Sequence, residues 1–203
     1  MKKRAYILSA IVILAFAWYY LIYSGRPLTL NFINAIVAFS ATIIIGLSAL
    51  MGPVARFVPK WKSILEMRRP LGIIGFGLAA LHLMIVVPLL LEEPSEVFLG
   101  DVVSIVVAGV AFVIFTLMAL TSTSKWVEKL GYDNWKMLQR LGYLAMALVL
   151  FHIILLEQGV FLGRLSGQIS IIFVLAVILL RAVAFIFKKP EAKTPINKLV
   201  LEH

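Results

Sequence analysis

The 203-residue chain has no cysteine, which removes disulfides, thiolate metal sites and cysteine nucleophiles together. Charge is also scarce. Only 14% of residues are Asp, Glu, Lys or Arg, against roughly a quarter in an ordinary soluble chain. The 10 acidic residues all lie outside the long apolar runs, so no carboxylate inside a membrane helix can ligate a metal. Strict apolar–polar alternation is missing, which argues against a membrane β-barrel. Gly72, Gly75 and Gly77 have the wrong spacing for a phosphate loop and lie in an apolar segment. No dehydrogenase domain that would bind NAD(P)H is recognisable.

What remains is strongly apolar: 62% of residues are hydrophobic and the mean hydropathy is +1.03. A soluble domain of this length could not cover so much apolar surface, so the natural solvent is a bilayer. Crossing a hydrocarbon core takes roughly 17–25 apolar residues. Six runs qualify, at residues 5–23, 32–51, 71–91, 102–120, 138–156 and 169–187. Backbone groups in lipid must be satisfied internally, so each run is expected to be a helix. The first run follows Met-Lys-Lys-Arg, as a signal peptide would. It is long for that role and no small-residue cleavage site precedes Ser24-Gly25-Arg26-Pro27, so a retained helix is expected.

The formal charge of +9 does not point to nucleic acid, because the basic residues sit in short loops rather than on one face of a domain. They report orientation instead. Lys2, Lys3 and Arg4 precede the first run. Arg56, Lys60, Lys62, Arg68 and Arg69 lie between the second and third. Lys125, Lys129 and Lys136 lie between the fourth and fifth with Arg140 on the flank, and Lys188, Lys189, Lys193 and Lys198 follow the sixth. The other three loops hold only Arg26 and Arg164, and one of them carries Glu92, Glu93, Glu96 and Asp101. The expected fold is therefore an all-α membrane protein of six transmembrane helices with both termini cytoplasmic. It forms one membrane domain over residues 1–190 and a polar tail over 191–203. The closing Leu-Glu-His resembles the start of a purification tag, which sets His203 aside.

Two histidines remain, His82 and His152, and both fall inside membrane runs. Ionisable groups there are costly and usually functional, although either alone could simply donate to a neighbouring helix carbonyl. Leu71-Gly72 precedes His82 and Leu141-Gly142 precedes His152 at the same spacing. Each imidazole then lies about 15 Å beyond its Leu-Gly pair, at matched depth near the bilayer centre. A lone zinc or copper ion wants further ligands, whereas a haem iron needs only two axial nitrogens. The expected cofactor is a haem held between the third and fifth spans by His82 and His152. Gly75, Ala79 and Ala145 lie on the histidine faces and would give a macrocycle room. The alternative for each is ordinary close helix packing. The second nitrogen of each ring needs an acceptor, expected to be a backbone carbonyl.

The segment Arg68-Arg69-Pro70-Leu71-Gly72-Ile73-Ile74-Gly75-Phe76-Gly77-Leu78-Ala79-Ala80-Leu81-His82 resembles the third helix of the ferric-reductase-like transmembrane superfamily. Residues 120–153, with the Thr-Ser-Thr loop, Trp126, Trp135 and His152, narrow the resemblance to the MsrQ family. These are haem-binding membrane subunits of methionine sulfoxide reductase systems. The resemblance implies an electron-transfer subunit in a bacterial or archaeal inner membrane, with His82 and His152 as haem ligands and a periplasmic reductase as acceptor. The family pattern has a further histidine where this chain has Gln139, and Arg69 stands at the matching level of the third run. A second bis-histidine haem is not expected here.

Arg181, in the sixth run, reads either as a long side chain reaching the headgroups or as a haem propionate partner. Arg164 is a second propionate candidate. Trp61, Trp126, Tyr132 and Trp135 read as an interfacial aromatic belt or as a stacking platform for FMN or a quinone. The basic segment at residues 55–70 reads as a topology signal beside anionic lipid or as a dock for a cytoplasmic flavoprotein donor. The functional expectation is an electron-transfer subunit of an oxidoreductase system, fed by a flavin or quinol. A transporter or channel with the two histidines on a proton or metal pathway is the alternative from another class, and a non-catalytic anchor is a third.

Overall fold

The structure is a computed structural model that describes residues 2–23, 25, 29–92, 99–156 and 162–187. The tail at 191–203, its preceding lysines, Arg26, Glu93 and Glu96 lie outside the described residues. Six helices are long and apolar enough to cross a membrane, and the protein is a multi-pass membrane protein. Helix α1 spans Lys2–Trp18 and ends in a π-helical turn, Tyr19–Tyr23. Helix α2 spans Leu30–Phe57, and a 3₁₀ stretch, Pro59–Met67, leads into α3, Arg68–Glu92. Then come α4, Leu99–Leu120, a short α5, Ser124–Leu130, α6, Tyr132–Leu155, and α7, Leu165–Ile186. Helix α5 was not foreseen from composition, being only seven residues long. Gly131, at φ +74, supplies the backbone reversal that separates it from α6.

Spans consecutive in the chain run antiparallel, which makes α2 and α7, the second and sixth spans, parallel. Helix α2 packs on α1, α3 and α7, and α4 packs on α6. One end of the bundle gathers Arg56, Lys60, Lys62, Arg68, Arg69, Lys125, Lys129 and Lys136 and is called the basic end below. The other is the far end. Between helices in lipid there is little hydrophobic drive, so small residues set the seams. A Cβ placed on Gly75 would lie 2.6 Å from Ile45 Cγ1 and 3.0 Å from the Ile45 backbone nitrogen. Gly75 therefore brings α3 close against α2. Gly142 gives way to Met118 of α4, and Gly46 to Phe173 of α7, in the same manner. Ile7, Leu14, Met84, Val106 and Ile172 remain exposed on the outside of the bundle, as a lipid-facing surface requires.

Helix α2 outruns the apolar stretch read from sequence and continues through Pro53 to Phe57. Proline has no N–H, so the carbonyl of Ala49, four residues earlier, loses its helical donor. Tyr143 of α6 fills the gap: its hydroxyl donates to Ala49 O at 3.1 Å. Two further polar ties brace the bundle. Ser48 Oγ donates to Arg68 O at 2.7 Å, fixing where α3 starts against α2. Tyr20 Oη and Ser166 Oγ share a buried hydrogen bond of 2.8 Å between α1 and α7.

Candidate haem site and the cavity behind it

His82 and His152 project from α3 and α6 and are mostly buried. His82 Nδ1 lies 2.7 Å from Asn34 Oδ1, on α2. An amide oxygen only accepts, so Nδ1 carries the proton and donates. His152 Nδ1 lies 2.8 Å from Ser104 Oγ and 3.2 Å from the Ser104 carbonyl, on α4. The carbonyl can only accept, and the Ser104 hydroxyl donates to His152 O at 3.1 Å. The proton between ring and serine therefore belongs to His152 Nδ1. In both rings Nδ1 is committed as a donor, which leaves Nε2 with a free lone pair, the state a metal-ligating imidazole needs.

No group of three or more His, Cys, Asp or Glu able to hold a metal ion occurs among the described residues. Two neutral nitrogens from separate helices, with no third protein ligand, fit the axial demand of a haem and fall short of a zinc or copper site. His152 stands in the last turn of α6, whereas His82 is the fifteenth of the 25 residues of α3. One sequence expectation changes: the acceptor for His82 is a side-chain amide, whereas only His152 uses a backbone carbonyl.

The small residues divide. Gly75 faces α2, and Ala145 is fully buried in a core cluster with Ala111, Phe115, Met146 and Val174, so close packing accounts for both. Ala79 is half-buried, one turn before His82. Arg164 stands at the N-cap of α7, at the far end. Arg181 lies instead with its guanidinium 4.8 Å from the centre of the Tyr143 ring, a cation–π contact. Tyr143 precedes His152 by nine residues, about 13 Å of helix, so Arg181 belongs to the level nearer the basic end.

A cavity of about 370 Å³ opens there between α2, α3, α4 and α6. Arg68, Arg69, Gln139, Trp135 and Tyr143 line its polar side, and Ile45, Phe76, Met118 and Met146 its apolar side. Trp135 Nε1 donates to Thr121 O at 2.9 Å, and Gln139 Nε2 donates to Met118 O at 3.3 Å. Both contacts pin the start of α6 to the end of α4. Of the aromatic group seen in the sequence, only Trp135 lines this cavity. Lys129 covers Trp126 at 4.9 Å, Lys136 covers Tyr132 at 5.1 Å, and Trp61 is half exposed, all as suits an interfacial belt.

Residues 33–150 match the family described as ferric reductase like transmembrane component. The chain belongs to that family. The match runs through α2, α3, α4 and most of α6, so it takes in Asn34, His82, Ser104 and Gln139. Among curated relatives, the magnetosome protein MamZ of Magnetospirillum gryphiswaldense is 32% identical over 132 residues, covering 62% of this chain and 20% of MamZ. The protein-methionine-sulfoxide reductase heme-binding subunit MsrQ of Herminiimonas arsenicoxydans is 34% identical, covering 51% of this chain and 49% of that protein. MsrQ of Caulobacter vibrioides is 31% identical, covering 58% of this chain and 56% of that protein. The chain thus spans about half the length of the MsrQ relatives and a fifth of MamZ. This ferric-reductase-like chain shares a membrane core with both kinds of protein.

Proposed function

We propose that this chain is a haem b subunit of the inner membrane that carries electrons from the cytoplasmic side to an acceptor outside. The basic end is cytoplasmic in this reading, because lysine and arginine concentrate there, and both termini then face the cytoplasm. His82 and His152 hold the iron through Nε2, and Arg164, at the same end of the bundle, is placed to meet a propionate. A bound haem supplies one-electron redox chemistry at its iron. The protein's own part is to hold two neutral imidazoles in fixed orientation and to surround them with apolar helix, which sets the potential.

The cavity at the basic end serves as the entry point for a reduced flavin or a quinol. Its inner wall, Phe76 and Met146, lies six residues short of each histidine, about 9 Å of helix. Its mouth carries Arg68 and Arg69, which suit an anionic or carbonyl-bearing ligand. Acceptors such as a methionine sulfoxide reductase fit the MsrQ likeness, with the acceptor docking at the far end.

The observation that carries this reading is the pair of Nδ1-anchored imidazoles with no further protein ligand beside them. Purified protein is expected to show a sharp Soret band that disappears in His82→Ala and in His152→Ala. Colourless protein that conducts protons or metal ions in liposomes would overturn the proposal in favour of a transporter.

A further inference from the structure

The two histidines are not anchored alike. His152 has two acceptors from one fully buried residue, the hydroxyl and the carbonyl of Ser104. The same hydroxyl returns a hydrogen bond to His152 O, a carbonyl that also takes the Leu156 N–H at the end of α6. Removing the hydroxyl would still leave Nδ1 a backbone acceptor, which no substitution deletes. His82 has one partner among the described residues, the Asn34 amide oxygen. Asn34 sits on α2, a helix that contributes no ligand of its own, and is the one amide within the apolar run at residues 32–51.

An imidazole without its Nδ1 acceptor is free to rotate about its side-chain torsions and is a poorer electron donor through Nε2, because the outer hydrogen bond raises ligand basicity. A buried N–H left without an acceptor also bears a desolvation cost. Together these make one contact decisive for one ligand and dispensable for the other.

We propose that Asn34 is the positioning residue of the iron centre: its amide oxygen alone orients the His82 ring and sets the donor strength of that axial ligand, whereas Ser104 is backed by its own backbone. This rests on the haem reading above. The same hydrogen bond also explains why a polar amide is kept in an apolar helix, where it otherwise carries a cost.

The test uses the full-length purified protein with Asn34→Leu, Asn34→Asp and Ser104→Ala. Leucine is close to asparagine in shape and suits a membrane helix, so folding is not at stake in that variant. The acid keeps an acceptor oxygen in either protonation state. Haem-to-protein ratio, the low-spin electron paramagnetic resonance signal and the midpoint potential are read for each. Asn34→Leu is expected to weaken haem retention about tenfold, the lower end for loss of an outer-shell partner. It should also broaden the low-spin signal and move the potential upward, because a weaker nitrogen donor favours the reduced iron. Asn34→Asp should retain haem and show no upward move, and Ser104→Ala should differ little from wild type. Wild-type haem with an unmoved potential in Asn34→Leu, or a larger loss in Ser104→Ala than in Asn34→Leu, overturns the assignment and leaves the haem reading intact. A wild-type protein that binds no haem overturns both.

Discussion

Arg69 and Gln139 precede His82 and His152 by the same thirteen positions on α3 and α6. The far end of the space between these helices thus repeats, in register, toward the basic end with different chemistry. At the far end both side chains are imidazoles whose Nδ1 protons are already engaged by Asn34 and Ser104. Near the basic end one side chain is a guanidinium, which has no lone pair to offer a metal. The other is an amide whose nitrogen is held by Met118 O, and the space between them is a cavity. One scaffold therefore offers two levels. In the proposed reading one grips an iron without charge, and the other receives a ligand with an anionic or carbonyl head. The difference lies in residue identity, since the helix register that presents the two pairs is the same.

The comparison can be broken most directly by giving the second level the chemistry of the first. Arg69→His combined with Gln139→His is expected to raise the haem-to-protein ratio from about one toward two, by analogy with the two-histidine axial demand. Gln139→His alone should leave the ratio unchanged. A double variant that stays at one would mean the cavity lacks the shape for a macrocycle. A smaller effect comes from removing the cations. Arg68→Ala with Arg69→Ala should slow reduction by a flavin or quinol donor about tenfold, the order expected for losing a charge-assisted hydrogen bond, with the Soret band unaltered. Equal loss of Soret intensity would place the arginines at the iron instead.

Packing supplies two further tests. Gly75→Ala puts a methyl into Ile45 at the α2–α3 seam and should cost about 1–3 kcal/mol, read as a lower melting temperature in detergent. Gly77→Ala, two residues on, meets nothing within 4 Å and should be neutral. If both behave alike, Gly75 does not set that seam. A smaller loss of melting temperature than for Gly75→Ala is expected for Tyr143→Phe. It strands the carbonyl freed by Pro53 and should cost about 1 kcal/mol, while the ring under Arg181 remains.

Much of this was legible before any coordinates. The six spans are visible because only long apolar runs can cross a bilayer, and the two histidines stand out because, Tyr143 and Arg181 apart, nothing else ionisable shares the middle of those runs. The partners did not stand out. Asn34 is a lone amide in an apolar run, a signal that could have been pursued. Ser104 is one of several serines in the chain, and only a comparison of the two halves singles it out: it precedes His152 by 48 positions, as Asn34 precedes His82. Gly75 and Ala145 looked like room for a macrocycle because both lie on a histidine face by helical count, yet that count cannot say which neighbour the face meets. Arg181 reads from sequence as reaching the headgroups or a haem propionate, and the structure rests it on the Tyr143 ring.

By itself, then, the sequence determined how many helices are long and apolar enough to cross the membrane, which end gathers positive charge and which two imidazoles lie within the apolar runs. Tertiary structure alone decided how each helix is turned about its own axis, and so which acceptor holds each ring and where a cavity remains. The reason is physical. In water a helix shows its buried side by being apolar there, but in lipid the side facing solvent and the side facing protein are both apolar, and only the packed bundle distinguishes them.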